Sequence, residues 1–428
     1  MPLRRWYQIA LLVYAARALL VALAGPFPMP FDEHAHLSYV LHLAAGSPLL
    51  PDLDAMRLVD LADFDRWLDQ RNHLNHPPGY YWLMAMLAQA PVSDAALVLG
   101  LRLANVALST GAIAVALWMA ARSGWSAAAQ LSFMALVVLV PTLPVLGGIV
   151  SNDNLALLGG VLGCAGAFVL LQGERGRRPW ALMAVGLLLA GLAKLTAGLL
   201  CGLLLAIVLA TLIRQRGRGA LSASGLCALA LAAVLASAPY LALWLSHGSP
   251  APMTEGLQAL LEARLADAGP LPDQHLSPGA YVLHFLTSLL VYWPPSTPAS
   301  RLELALLAAP LLTLLLCLAG VVLAFRAPAG AASDPTRALV ACGAIALIVL
   351  MLVHFAFAYG LHLATGWHRA VHPRYYFPAL PILPAAFALL LMRLRSPARA
   401  RWLAGAGIAC TIGYALLAGI AGKVAAAG

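Results

Sequence analysis

Two adjacent carboxylates, Asp32 and Glu33, stand directly after Pro26-Phe27-Pro28-Met29-Pro30 in a chain where only 10% of residues are charged. Proline fixes φ and lacks a backbone donor, so this run ends any preceding helix and presents the acids just beyond it. Two acids beside an apolar wall suit acid–base work or a divalent metal, because desolvation raises one pKa while the other stays ionised. A plainer reading stays open, in which Asp32 caps a helix and both acids favour its positive dipole end. His34 and His36 follow within one turn, and Asp32 and His36, four apart, share a helix face. Glu33 and His36 offer oxygen and imidazole ligands for Mn, Mg or Zn, but no three-ligand spacing is complete. Nothing in the sequence requires a cofactor.

Two further groups carry polar chemistry: Asn75-His76-Pro77-Pro78-Gly79-Tyr80-Tyr81-Trp82 and His368-Arg369-Ala370-Val371-His372-Pro373-Arg374-Tyr375-Tyr376. Arg369, His372 and Arg374 form a basic cluster suited to a phosphate-bearing ligand, although Arg374 with Tyr375 and Tyr376 also fits an ordinary interfacial belt. Lys194, one of two lysines in the chain, either snorkels to an interface or faces a lipid phosphate. Asn152, Asp153 and Asn154 most simply cap a helix, and a position of Asp153 at the same cavity stays open. Arg17 and Arg102 lie within or beside apolar runs and call for polar partners; His354 fits a core residue.

The elements that must position these groups follow from composition. The 428 residues are 62% hydrophobic with a mean hydropathy of +0.85, against roughly 45–50% apolar for soluble domains. Apolar runs of about 20 residues recur at the length of a bilayer core, whereas the short alternating strands of an outer-membrane barrel do not. A single all-α integral membrane domain over 1–428 is expected, with spans near 6–25, 96–121, 127–149, 153–172, 180–196, 197–213, 220–245, 302–325, 338–359, 374–392 and 402–421. The break between the fifth and sixth spans is placed near Gly198 or Gly202. With Arg4 and Arg5 cytoplasmic, the cytoplasmic loops hold 15 basic residues against 2 acids, and the outer loops 8 against 15. That is the positive-inside asymmetry. It also accounts for the net +9 without nucleic acid.

Eleven of the twelve histidines and both acids of the first pair then fall on the outer side of a bacterial inner membrane. The long outer loops are 26–95 and 246–301. Gly79–Ala90 and Tyr281–Trp293 are expected to lie on the surface as interfacial helices, since each is too short to span. The Asp-rich stretch 52–69 with Trp67 and Leu68 is expected to form a short solvated helix, and Thr254–Ala268 another. No secretory signal is expected; the first span is retained as an anchor. The six cysteines fall in spans, which argues against a disulfide framework.

One span, then Phe31-Asp32-Glu33, His-Pro-Pro-Gly-Tyr-Tyr-Trp-Leu at 76–83, Ser151-Asn152-Asp153-Asn154, Leu-Ala-Lys-Leu-Thr at 192–196 and Arg374-Tyr375-Tyr376 resembles the GT-C superfamily of membrane glycosyltransferases. Within it the chain looks most similar to bacterial transferases related to protein O-mannosyltransferases and to the aminoarabinose transferase of lipid A. The resemblance implies transfer of a sugar from a polyprenyl-phosphate carrier to a lipid, glycan or protein acceptor, with inversion, on the outer face. It implies Asp32 as general base, with Glu33 as its partner or a metal contact. It makes His76, Lys194, Arg369 and Arg374 candidate partners of the donor phosphate, and Tyr80, Tyr81 and Trp82 walls of the sugar or lipid entrance. The chain ends at Lys423-Val-Ala-Ala-Ala-Gly without the large soluble domain of oligosaccharyltransferase relatives, which favours a lipid or glycan acceptor over a peptide. A flippase or a glycan ligase without the Asp32 base is the alternative, although ionisable groups at mid-span are few.

Overall fold

The computed structural model describes residues 2–29, 31–267, 275–290, 301–326, 334–366 and 372–427. Helix α1 (Leu3–Ala24) precedes α2 (Glu33–Ala44), a hairpin of β1 (Arg57–Asp60) and β2 (Asp63–Arg71), and α3 (Gly79–Ala88). The bundle continues with α4 (Asp94–Ala121), α5 (Ala127–Val138), α6 (Thr142–Gly147), α7 (Asp153–Leu171), α8 (Arg177–Ala193), α9 (Leu195–Arg216) and α10 (Ala223–His247). Helices α11 (Glu255–Asp267), α12 (Pro278–Leu290), α13 (Arg301–Arg326) and α14 (Pro335–Thr365) follow. A 3-10 turn, Pro373–Ala379, leads into α15 (Ile382–Arg393) and α16 (Pro397–Ala427).

The protein is a multi-pass helical membrane protein. Among the described residues six helices, α1, α4, α7, α9, α10 and α14, are long and apolar enough to cross a bilayer. A seventh crossing arises if Pro373–Ala379 and α15, bent by 63°, count as one span. All eleven expected spans fall on helices, but two are not continuous. The run 127–149 breaks into α5 and α6 around Pro141, which cannot donate to an unbroken helix. The run 374–392 is the bent pair, with prolines at 373, 378, 381 and 384.

Helix α7 sits at the centre, with 89% of its apolar window buried. Helices in a membrane gain little from apolar burial against one another, so close approach of small residues carries the packing. A side chain at Gly160 would collide with the backbone of Pro378, so its lack of one brings the 3-10 turn onto α7. Helices α8 and α9 do not turn at Gly198 or Gly202. They break at Lys194, whose φ of −162° and ψ of 136° are extended. Gly198 instead lets α9 lie against α8: a Cβ there would meet the Cα of Gly191 at 2.9 Å.

The Asp-rich segment of the first loop is a β-hairpin, not a helix. Asp60 and Asp63 pair across a two-residue turn, where the Asp60 carboxylate accepts from the Ala62 N–H at 2.9 Å. In β2 Phe64 and Leu68 are half-buried on one face while Asp63, Asp65 and Asp69 are exposed on the other, the period-two placement of a strand. Leu58 and Val59 are buried against α2, where the Ser38 hydroxyl accepts from Val59 N at 3.0 Å. Helix α3 matches the expected short helix, and at 10 residues it reaches only half a bilayer. Helices α11 and α12 cover most of their expected segments; Ala268 and Trp293 lie outside the described residues.

One ion pair ties the loop to the bundle. Arg102 of α4 donates from Nε to Glu33 Oε1 at 2.8 Å and from Nη2 to Oε2 at 2.7 Å. Its guanidinium also donates to the carbonyls of Gly25 and Pro26 at 3.0 and 2.7 Å, clamping the exit of α1. Breaking such a buried pair from one side costs about 3–5 kcal/mol. Arg102→Leu is therefore expected to lower the thermal midpoint of the detergent-solubilised protein sharply, and Arg102→Leu with Glu33→Leu to recover part of the loss. An Arg102→Leu midpoint equal to wild type would refute the clamp.

Candidate active site

Phe31 and Asp32 both adopt positive φ, 78° and 65°. A bulky residue such as Phe31 is rare in that region, which aspartate visits more readily, and such strain persists where surrounding contacts enforce it, frequently at functional sites. Asp32 occupies the N-cap position of α2 but its side chain makes no capping bond. Its carboxylate is held from outside instead: His73 Nε2 lies 3.3 Å from Oδ1 and Arg374 Nη2 donates to Oδ2 at 3.1 Å.

Arg374 continues the chain. Its Nη1 lies 3.6 Å from Oδ2 of Asp153, and Lys194 Nζ donates to Oδ1 of Asp153 at 2.8 Å. His73, Asp32, Arg374, Asp153 and Lys194 thus alternate base and acid along one line, from the 72–78 loop, the start of α2, the 3-10 turn, the start of α7 and the α8–α9 corner. Phe31 and Tyr375 flank the Arg374 guanidinium at 5.3 and 5.7 Å, and Lys194 Nζ sits 4.4 Å above the Tyr375 ring. Asn152 donates to the Ala193 carbonyl at 2.8 Å, pinning the corner that carries Lys194. Its Oδ1, and Thr196 Oγ1 two residues beyond Lys194, are buried without a hydrogen-bond partner.

The expected site residues divide. Asp32, Lys194, Arg374 and Tyr375 come together. Glu33 is fully buried and faces away, with both oxygens taken by Arg102 and by the backbone N–H groups of Met29 (2.7 Å) and Val150 (3.0 Å). Four donors leave it no lone pair for a metal. His36 Nδ1 engages the Tyr81 hydroxyl at 2.9 Å, and its ring stacks on His76 at 6.2 Å, so Glu33 and His36 do not form a ligand pair. Tyr81 stacks on Tyr39 at 3.8 Å, and Tyr80 shares hydrogen bonds with Asn105 of α4, which makes both part of the packing between α3 and its neighbours. His372 is half-buried beside Tyr375, at 6.2 Å between rings. Arg369 lies outside the described residues. His73 joins Asp32 without any sequence signal; Asp153 carried one, its place in Ser-Asn-Asp-Asn, but an equally good helix-cap reading.

Metal fits poorly between the two acids, since Arg374 already bridges Asp32 and Asp153 and Lys194 takes the remaining Asp153 oxygen. One other group of the described residues, Asp52, Asp54 and His247, places three potential ligand atoms within 4.8 Å of one another.

Burial pushes the Asp32 pKa up, but the His73 hydrogen bond and the Arg374 charge outweigh it and hold the carboxyl well below its ordinary value. Burial drives His36 down to about 3, against the opposing pull of Asp32 and Asp153, and His372 to about 4. His76 is also depressed, by burial first and by Lys194 second. A histidine with a lowered folded pKa binds fewer protons folded than unfolded, so stability rises with pH across that interval. The thermal midpoint is therefore expected to fall as pH drops from 6.5 toward 4, where these imidazoles remain neutral only while folded. Asp32, with its depressed pKa, loses its contribution only below pH 4. His36→Gln is expected to flatten part of the slope between pH 6.5 and 4; an unchanged slope would count against it.

No protein-family model matches the chain, and no curated protein matches it in sequence. Solved structures do. ArnT from Cupriavidus metallidurans in the apo state superposes with a TM-score of 0.51 at 17% identity, over 94% of this chain and 63% of that one. The same enzyme bound to undecaprenyl phosphate gives 0.49, at 17% identity over 92% and 61%. The Archaeoglobus fulgidus oligosaccharyltransferase, in complex with Zn and sulfate, gives 0.52 at 16% identity over 95% and 52%. The chain spans less than two thirds of the length of each of these proteins. With an acid pair just past the exit of the first helix and the polytopic bundle behind it, the chain shares the fold of the apo ArnT and oligosaccharyltransferase structures.

Proposed function

We propose that the protein is an inverting glycosyltransferase that moves a sugar from a polyprenyl-phosphate donor to a hydroxyl-bearing lipid, glycan or protein acceptor. The observation that carries the reading is the shared guanidinium: Arg374 bridges Asp32, the candidate base, and Asp153, the partner of Lys194. A donor phosphate has the charge to compete for both cations. Arginine suits that exchange, because its planar fork matches phosphate oxygens as well as carboxylates. The partnerless Asn152 and Thr196 atoms sit next to Lys194 in the fold and in sequence, and the Thr196 hydroxyl can donate to a phosphate oxygen.

The steps follow. With the phosphate on Lys194 and Arg374, Asp32 loses a neutralising cation and its basicity rises. Asp32 takes the proton of the acceptor hydroxyl as the oxygen attacks the anomeric carbon from the face opposite the phosphate. The bond from that carbon to the phosphate oxygen breaks, and the polyprenyl phosphate departs with the added negative charge stabilised by Lys194 and Arg374. His73 keeps Oδ1 oriented while Oδ2 is released. Glu33 serves as the anchor of this loop and not as a second base. The apolar walls of the bundle supply a path for the isoprenoid tail.

The charge asymmetry of the loops supports a site on the outer face of a bacterial inner membrane, with the N-terminus cytoplasmic. General-base loss costs about 10²–10⁴ in rate. Asp32→Asn, at normal expression, is expected to reduce sugar transfer from a polyprenyl-phosphate donor by that factor while leaving donor binding in place. Lys194→Ala and Arg374→Ala are expected to weaken donor binding itself. Transfer by Asp32→Asn at the wild-type rate would sink the assignment.

A further inference from the structure

A cavity of ≈ 420 Å³ lies beside the ion-pair chain, between α2, the 50–53 loop and the last turn of α10. Its size falls within the roughly 300–1,000 Å³ of small-molecule sites. Tyr39, Leu53 and Leu243 give it an apolar lining, Asp52 and His247 a polar one, and His76 closes the side toward His36. His36 and His76 stack as a pair, so the two imidazoles form a partition between this cavity and the acids and cations of the candidate site.

The two sides of that partition differ in charge: the candidate site balances two cations against two acids, whereas the cavity has acids without a lysine or arginine in its lining. Lys194 and Arg374 make one side a place for an anion. On the other, Asp52 lines the cavity and Asp54 stands 3.8 Å from His247, the one base in the lining besides His76. The C-terminal turn of α10 borders the same space through Leu243, Ser246 and His247, and a helix C-terminus carries partial negative charge. A phosphate or carboxylate is disfavoured there; hydroxyls and amines are matched by acceptors on one wall and by the Tyr39 ring on another.

We infer that this cavity binds the acceptor and selects a sugar headgroup that is neutral or amino-substituted over an anionic one. The inference rests on the transferase reading, and it assigns donor and acceptor to opposite sides of the His36–His76 stack. The acceptor sugar reaches Asp32 past His76, and the charge of its own pocket keeps the donor phosphate from occupying it.

The test uses the full chain in nanodiscs, with dodecyl glucosaminide, dodecyl glucoside, dodecyl glucuronide, methyl glucosaminide and undecaprenyl phosphate as binding probes. The glucosaminide and glucoside are expected to bind wild type, and the glucuronide at least about tenfold more weakly. Ser246→Trp, which fills the cavity, is expected to weaken both sugars by at least about tenfold and to leave undecaprenyl phosphate within about twofold. Asp52→Asn, a milder change at an exposed position, is expected to weaken the glucosaminide more than the glucoside. Equal binding of dodecyl and methyl glucosaminide identifies a free glycan as the source, and binding of the dodecyl form alone a glycolipid; either agrees with the assignment. Loss of undecaprenyl phosphate binding in Ser246→Trp, equal affinity for glucuronide and glucosaminide, or no sugar binding by wild type overturns it. Sugar binding by a wild-type protein that ignores undecaprenyl phosphate would instead break the transferase reading.

Discussion

The Glu33–Arg102 ion pair is the contact on which the arrangement of the site depends. A carboxylate and a guanidinium removed from water each lose several kcal/mol of hydration, and only full pairing with added hydrogen bonds offsets that loss. Here every Glu33 lone pair is met, and the same guanidinium holds the carbonyls that end α1. Asp32 is the next residue, and Val150, the fourth donor to Glu33, stands three residues before Asp153. One buried charge therefore sets the positions of both acids of the site. Phe31 and Asp32 can keep their unfavourable backbone conformations because the residue after them cannot move.

The site itself is an arrangement of mutual neutralisation. Asp32 and Asp153 share Arg374, and each has a further partner of its own, His73 or Lys194. In an environment poor in water such groups remain charged only in company. The same property makes the set responsive, since a third anion placed among two cations and two acids must change who pairs with whom.

Much of this was legible in the sequence, and the reasons for the remainder are physical. Low charge density made Asp32, Lys194 and Arg374 conspicuous, and loop asymmetry placed them on one side; the fold brings these three within one chain of contacts. The Glu33–Arg102 pairing was not legible, because the partners are 69 residues apart and any acid could have answered Arg102. Glu33 looked like Asp32 by composition; only direction separates them, one turned into the bundle and the other out of it. The hairpin at 57–71 was hidden because acids in a loop suggest solvation before alternation. Two crossings in the run 180–213 point to a turn near Gly198 or Gly202, whereas Gly198 is used for contact with Gly191 and the turn falls on Lys194. His73 had no signal, since its role depends entirely on what lies opposite.

The enclosure of α7 bears on how such a protein can move. Asp153 begins that helix, Pro378 rests on Gly160, and neighbours surround the remainder. An axle so gripped cannot shift without displacing several helices together. The 3-10 turn that carries Arg374 is one of those grips, so Arg374 and Asp153 are fastened together twice, by their own ion pair and by Pro378 on Gly160, and separating them means lifting that turn off α7.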